Sequence, residues 1–202
     1  MDFEVIIIGA GVVGSVLAST LAKQGVEVCL IDGQNPFKIK KSSNFSGRTT
    51  ALNLGSIDLF YQLGLWNNLQ DQATDFNKIY VWDKEGSSKL EFSAKDIDRS
   101  KLGSVVTNNC ILQEVSKILG STENIDLKLN SELKSISAND NSVEVVTKDG
   151  KKLVSKLLVG ADSGTSKVRQ LSHIPIRTWS YQQTAFVASL KSEIPHNNTA
   201  RQ

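Results

Sequence analysis

The first strongly patterned stretch, Val5 to Ile8, is an unbroken run of branched apolar residues, the pattern of a parallel strand covered on both faces. Glycines follow at once. From Val12 to Lys23 the apolar positions Val12, Val13, Val16, Leu17 and Leu21 recur at helical spacing, and Gly25 is placed to end the helix. Val26 to Ile31 reads as a second buried strand. Strand, glycine turn, helix and strand within about thirty residues form a βαβ unit, whose crossover is right-handed by rule.

Pro36 to Gly47 is polar and basic without periodicity, which predicts a long surface loop. Leu52, Ile57, Leu59, Phe60 and Leu63 then predict one or two helical segments ending near Gly64. Ile79 to Trp82 and Leu90 to Phe92 read as strands around the turn Asp83-Lys84-Glu85-Gly86. Ile111, Leu112, Val115, Ile118 and Leu119 give a helical stripe stopped by Gly120. Beyond it the chain turns strand-rich, with Ile125 to Leu129, Leu133 to Ser137, Val143 to Thr147 and Lys152 to Val154 resembling a β-meander inserted into the α/β sheet. Leu157 to Val159 is another buried parallel strand, and Tyr181 to Leu190 alternates loosely as a strand leaving the first domain.

Composition narrows the picture. The chain has 202 residues, 40% hydrophobic and 22% charged, a globular profile with no low-complexity tract. Lys+Arg 23 against Asp+Glu 21 gives a net charge of +2, which argues against nucleic acid as a partner. The basic residues Lys38, Lys40 and Lys41 read as a solvated loop. Cys29 and Cys110 are too few and too isolated for a metal site or a disulfide framework, so both read as buried small hydrophobes in a reducing compartment. The apolar opening is preceded by the acidic Met1-Asp2-Phe3-Glu4 rather than by positive charge, and no stretch approaches the ~20 apolar residues of a membrane-spanning helix. His173 and His196 read as structural or surface residues, and Trp66, Trp82 and Trp179 read as core or domain-boundary packing rather than a stacking platform.

Gly9-Ala10-Gly11-Val12-Val13-Gly14 fits GxGxxG. Gly9 turns the chain sharply, Gly11 lets backbone amides approach a pyrophosphate, and Gly14 permits close packing of helix on strand. Asp32 falls 18 residues after Gly14, at the end of the second strand, where a carboxylate accepts hydrogen bonds from ribose hydroxyls. The unit points to a dinucleotide without separating FAD from NAD.

Three further stretches accompany it in order. Arg48 lies in Gly47-Arg48-Thr49-Thr50-Ala51-Leu52, Gln113 opens the helix after Val105-Val106-Thr107-Asn108-Asn109-Cys110-Ile111-Leu112, and Gly160-Ala161-Asp162-Ser163-Gly164-Thr165-Ser166-Lys167-Val168-Arg169 looks like GADGxxSxVR. With these in place the chain resembles the class A flavoprotein monooxygenases of the para-hydroxybenzoate hydroxylase fold. Tyr181-Gln182-Gln183-Thr184-Ala185-Phe186-Val187, followed by Glu193-Ile194-Pro195-His196, is similar to the ubiquinone-biosynthesis branch. The resemblance implies that Arg48, Gln113 and Asp162 join Gly9, Gly11, Gly14 and Asp32 in binding FAD, with Asp162 also serving NAD(P)H. Arg48 also reads as a solvated cation, Gln113 as a residue bonding its own helix, and Asp162 as a turn or helix cap. Ser163 stands where the family has glycine, so a less extreme backbone is expected there; Asp32 stands where glutamate is commoner and reaches one methylene less far.

The implied fold class is α/β, a Rossmann-like FAD-binding domain with a parallel sheet and an inserted β-meander, plus the beginning of a β-rich substrate domain. Residues 1–175 would form the first, with the meander at about 125–155, and 176–202 would open the second, truncated. The implied activity is NAD(P)H- and oxygen-dependent hydroxylation of an aromatic ring, that of a polyprenylated phenol of ubiquinone biosynthesis. FAD carries the chemistry, so no catalytic side chain is assigned. The implied setting is cytoplasmic, peripheral to the inner membrane, in association with a quinone-biosynthesis complex. On this reading the chain is an N-terminal fragment that does not hydroxylate alone. Two other readings use the same residues: another FAD- or NAD-dependent oxidoreductase, and a non-catalytic FAD-binding module.

Overall fold

The computed structural model describes residues 1–38, 48–83 and 86–202. The loop read over Pro36 to Gly47 lies outside the described residues from 39 onward, as do Lys84 and Glu85 of the expected turn.

The chain opens with β1 (Phe3–Ile8), α1 (Val12–Lys23) and β2 (Val28–Asp32). Next come β3 (Thr49–Asn53), α2 (Leu54–Gln62), α3 (Trp66–Leu69), β4 (Thr74–Phe76), β5 (Lys78–Trp82), β6 (Lys89–Ser93) and β7 (Gly103–Thr107). Then follow α4 (Asn108–Ser121), β8 (Ile125–Leu129), β9 (Leu133–Ala138), β10 (Val143–Thr147), β11 (Lys152–Gly160), α5 (Lys167–Leu171) and β12 (Thr199–Arg201). The elements divide into two interleaved units, Met1–Lys40 with Leu112–Thr184 and Lys41–Ile111 with Ala185–Gln202.

The first unit is built on a six-stranded sheet in the order β8-β2-β1-β11-β10-β9. β1 lies between β2 and β11, parallel to both, with Ile7 opposite Leu30 and Val159. Successive side chains of a strand point to opposite faces. Val5 and Ile7 therefore pack with Val28, Leu30, Ala18 and Ala22 on one side, while Ile6 and Ile8 pack with Cys29, Ile31, Val145 and Val168 on the other. Both faces are covered, which is why β1 carries no polar alternation. Each fully buried Ile or Leu here contributes about 1.5–3 kcal/mol of hydrophobic stabilisation. α1 ends where Gly25 takes φ +83°, and the Asn124 side chain donates to Ala22 O at 3.0 Å and Val26 O at 2.8 Å, tying the end of the helix to the start of β8.

Three expectations change in this unit. The two strands read at Lys152 to Val154 and Leu157 to Val159 are one strand, β11, antiparallel to β10 in its first half and parallel to β1 in its second. Ser155, wholly buried, belongs to both ladders, so no turn interrupts them. β8 belongs to the parallel sheet as the neighbour of β2, so the meander starts only at β9. The second strand runs over Val28–Asp32 rather than from Val26, because Val26 closes the turn after α1 by donating to Leu21 O.

The second unit contains two three-stranded sheets, β3-β7-β4 and β12-β5-β6. Leu52 lies in β3 rather than in a helix, and Asn53 caps α2 by accepting from Ser56 N at 2.8 Å. Trp66 is buried, with the Lys101 ammonium 5.1 Å from its ring centroid, whereas Trp82 is 46% exposed, and in the first unit Trp179 is 65% exposed, so neither of these two is core packing. The strand expected over Tyr181 to Leu190 is absent: the segment enters no ladder, and Phe186, Val187 and Leu190 are each at least 90% exposed. A strand exists through its partner's hydrogen bonds, and loose alternation alone supplies none.

Candidate functional site

The four parallel strands of the first unit end on the same edge, where ligands of open α/β sheets bind. A cleft of about 610 Å³ opens there, lined by Ile8, Gly9 and Gly11 at the end of β1, Asp32, Gly33 and Gln34 at the end of β2, Ser131 to Leu133 after β8, and Ala161, Asp162, Ser163, Thr165 and Lys167 after β11. That volume falls within the range of about 300–1,000 Å³ typical of small-molecule sites.

The glycine turn forms one wall. Gly9 has φ +108°, and a Cβ there would lie 2.5 Å from Ala161 O. A Cβ on Gly14 would lie 1.8 Å from Gly9 O, so α1 packs on the turn only because that atom is missing. A Cβ on Gly11 would meet nothing within 4 Å. The backbone at Gly11 therefore faces open space beside a helix start that has no side-chain cap and no acidic residue in its first turn. The first hydrogen bond of α1 is Ser15 N to Gly11 O at 2.9 Å, leaving the preceding amides without helical partners. Such a helix start attracts a phosphate through its N–H groups and its dipole.

Asp32, at the end of β2, accepts from Ala10 N at 2.7 Å through Oδ2 and from Gln34 N at 2.8 Å through Oδ1. These bonds fix its carboxylate against the glycine turn, and each oxygen retains acceptor capacity for a ribose hydroxyl.

Asp162 lines the cleft, but its carboxylate caps α5. Oδ2 accepts from Lys167 N at 2.6 Å and Val168 N at 3.1 Å, and Ser166 donates its hydroxyl to Oδ1. Ser163 has φ +72°, contrary to the relaxed geometry expected there. The chain must reverse within Asp162 to Ser166 to bring those amides back to the carboxylate, and the reversal is closed by Ser166 N donating to Ser163 O at 3.1 Å.

The seven sequence-predicted residues are not all gathered here. Gly9, Gly11, Asp32 and Asp162 line the cleft, and Gly14 packs behind the turn. Gln113 is exposed on α4 and is not among the lining residues. Arg48 belongs to the second unit, where it lines a concavity of about 640 Å³ with Thr49, Asn108 and Val187 to Leu190.

Sequence reasoning missed Ser131, Glu132 and Lys167. The available signal was topological: once β8 is placed in the parallel sheet, the residues after it must reach the same edge as Asp32. Glu132 pairs with Lys148, and the hydrogen bond from Lys148, then its charge, hold the Glu132 carboxyl below the usual range. The cleft thus offers helix-start amides to an anion and a fixed carboxylate to hydroxyls, the two demands of a dinucleotide.

The family model described as the FAD binding domain matches residues 2–198. The chain is 28% identical over 191 residues to the 3-demethoxyubiquinol 3-hydroxylase of Escherichia coli K12, covering 94% of this chain and 49% of that protein. It is 30% identical over 197 residues to the ubiquinone hydroxylase UbiL of Rhodospirillum rubrum, covering 98% and 46%. PqsL of Pseudomonas aeruginosa, described as a probable FAD-dependent monooxygenase, superposes with a TM-score of 0.73 at 18% identity over 89% of this chain and 48% of that one, a likeness of fold alone. The chain spans about half the length of the curated relatives it matches.

Proposed function

Since the chain belongs to the FAD binding domain family, we propose that it is the FAD-holding part of a monooxygenase that hydroxylates an aromatic ring, a polyprenylated phenol of ubiquinone biosynthesis. The observation that carries the cofactor reading is the meeting of the glycine turn, the uncapped start of α1 and Asp32 in one cleft. The substrate class rests on the relatives named as ubiquinone hydroxylases.

In this reading Gly9, Gly11 and Gly14 shape the turn that receives the pyrophosphate, and Asp32 accepts from the ribose. Asp162 acts chiefly by holding α5 against the cleft, and Arg48 and Gln113 complete the set of FAD-binding residues. FAD bound there supplies the redox chemistry, with NAD(P)H as reductant. The chain's own residues bind, orient and shield it. Residues 1–175 serve as the FAD-binding domain and 176–202 open the substrate-binding part. Among the described residues no helix is long and apolar enough to cross a membrane. We place the protein in the cytoplasm, peripheral to the inner membrane with the other quinone-forming enzymes.

The test is made in the full-length protein. NAD(P)H oxidation should yield a hydroxylated lipid-linked phenol, and loss of the coding gene should cause an under-hydroxylated quinone precursor to accumulate. Normal quinone levels in a clean deletion would point to a different aromatic substrate.

A further inference from the structure

Ser131 lies in the link between β8 and β9, one residue past Asn130, which takes φ +55°. Its N–H donates to Asp32 O at 2.9 Å, so it is anchored to the strand end that presents the Asp32 carboxylate. It is 8% exposed and lines the cleft. Among the described residues its hydroxyl is the one buried side-chain nitrogen or oxygen without a hydrogen-bond partner.

Buried hydroxyls are nearly always paired, because one left alone has given up its water hydrogen bonds for nothing. Neither Asp32 nor Glu132 bonds the Ser131 hydroxyl. Asp32 holds the Ala10 and Gln34 amides, and Glu132 holds Lys148. Ser131 lines the cleft, where a bound ligand would supply the missing partner.

We infer that Ser131 is a further cofactor-binding residue, whose hydroxyl is held for a hydrogen bond to the adenosine half of FAD. The inference rests on the reading of this cleft as the FAD site. The adenosine half follows from position: the pyrophosphate belongs at the start of α1, the ribose at Asp32, and Ser131 is tied to Asp32. A hydroxyl both donates and accepts, which suits a ribose hydroxyl or an adenine ring nitrogen.

The experiment compares the chain with its Ser131→Ala variant by fluorescence titration with FAD, ADP and FMN, and by thermal melting with and without FAD. Ser131→Ala should raise the Kd for both FAD and ADP by about three- to tenfold, the scale of one net hydrogen bond. FMN binding should be unchanged. Without ligand the variant should melt at the same temperature or higher, since an unpaired buried hydroxyl has been removed, and FAD should raise its melting temperature less than it raises that of the parent. Equal FAD and ADP affinities in both proteins would overturn the role of Ser131 alone. A parent chain that binds neither would overturn the reading of the cleft and this inference with it.

Discussion

Asp32 ties the glycine turn to the end of β2 through its carboxylate, and in the proposed function the same carboxylate accepts from the ribose. Asp32→Ala should therefore weaken FAD binding by about 1–3 kcal/mol, roughly 5- to 150-fold in Kd, and an unchanged Kd would remove it from the site. Its position was legible from spacing, because the residue count from a GxGxxG turn to the end of the next strand is fixed by the length of the intervening helix. The work of Asp162 was legible only as a choice between cofactor ligand and cap; its bonds to the Lys167 and Val168 amides make it a cap, and it also lines the cleft. Ser163 was misread because a resemblance to glycine-containing relatives does not reveal whether the chain relaxes or stays strained. At φ +72° it stays strained. Ser163→Gly should raise stability by about 0.5–1 kcal/mol, the relief of left-handed strain less the added freedom of the unfolded chain, and a lowered melting temperature would contradict this. Cys29 offers a separate check. Burial, then the nearby Asp126 charge, push its thiol up to about 12, so almost no thiolate exists at pH 8. An aromatic disulfide reagent at that pH should modify one cysteine of the folded chain, the partly exposed Cys110, and both in denaturant.

Among elements, α1 and the turn before it were the most legible, since a 12-residue helix between strands that each carry an unbroken apolar run of four residues leaves little choice of pattern. Its glycines are not equivalent. Gly14→Ala drives a methyl against the Gly9 carbonyl, a backbone atom that cannot swing away, and should destabilise the first unit by about 3 kcal/mol or more. Gly11→Ala places its methyl in open space, so its melting temperature should match the parent while FAD binding falls by about tenfold or more, because the second glycine is where the backbone approaches the pyrophosphate. Loss of folding in Gly11→Ala, or normal folding in Gly14→Ala, would show that the turn is built differently. The strand-rich stretch after α4 was legible as strands but not as partners. Local alternation carries no record of which edge a strand joins, so β8 was grouped with the meander, and with it the cleft wall at Ser131 and Glu132 was lost from view. The tie from Asn124 to Ala22 and Val26 spans about a hundred positions and leaves no local signature.

At the scale of the whole molecule the family match covers residues 2–198, while the chain spans about half of each relative's length. The cofactor reading therefore stands on this chain's own cleft, and the hydroxylation reading on its kinship. The most direct test of the central claim is the visible spectrum and titration of residues 1–202, purified and offered FAD and NAD side by side. The account predicts a yellow protein that takes up FAD near one to one, whose affinity falls on Asp32→Ala and on Gly11→Ala. A folded but colourless protein that binds NAD and leaves FAD in solution would contradict it.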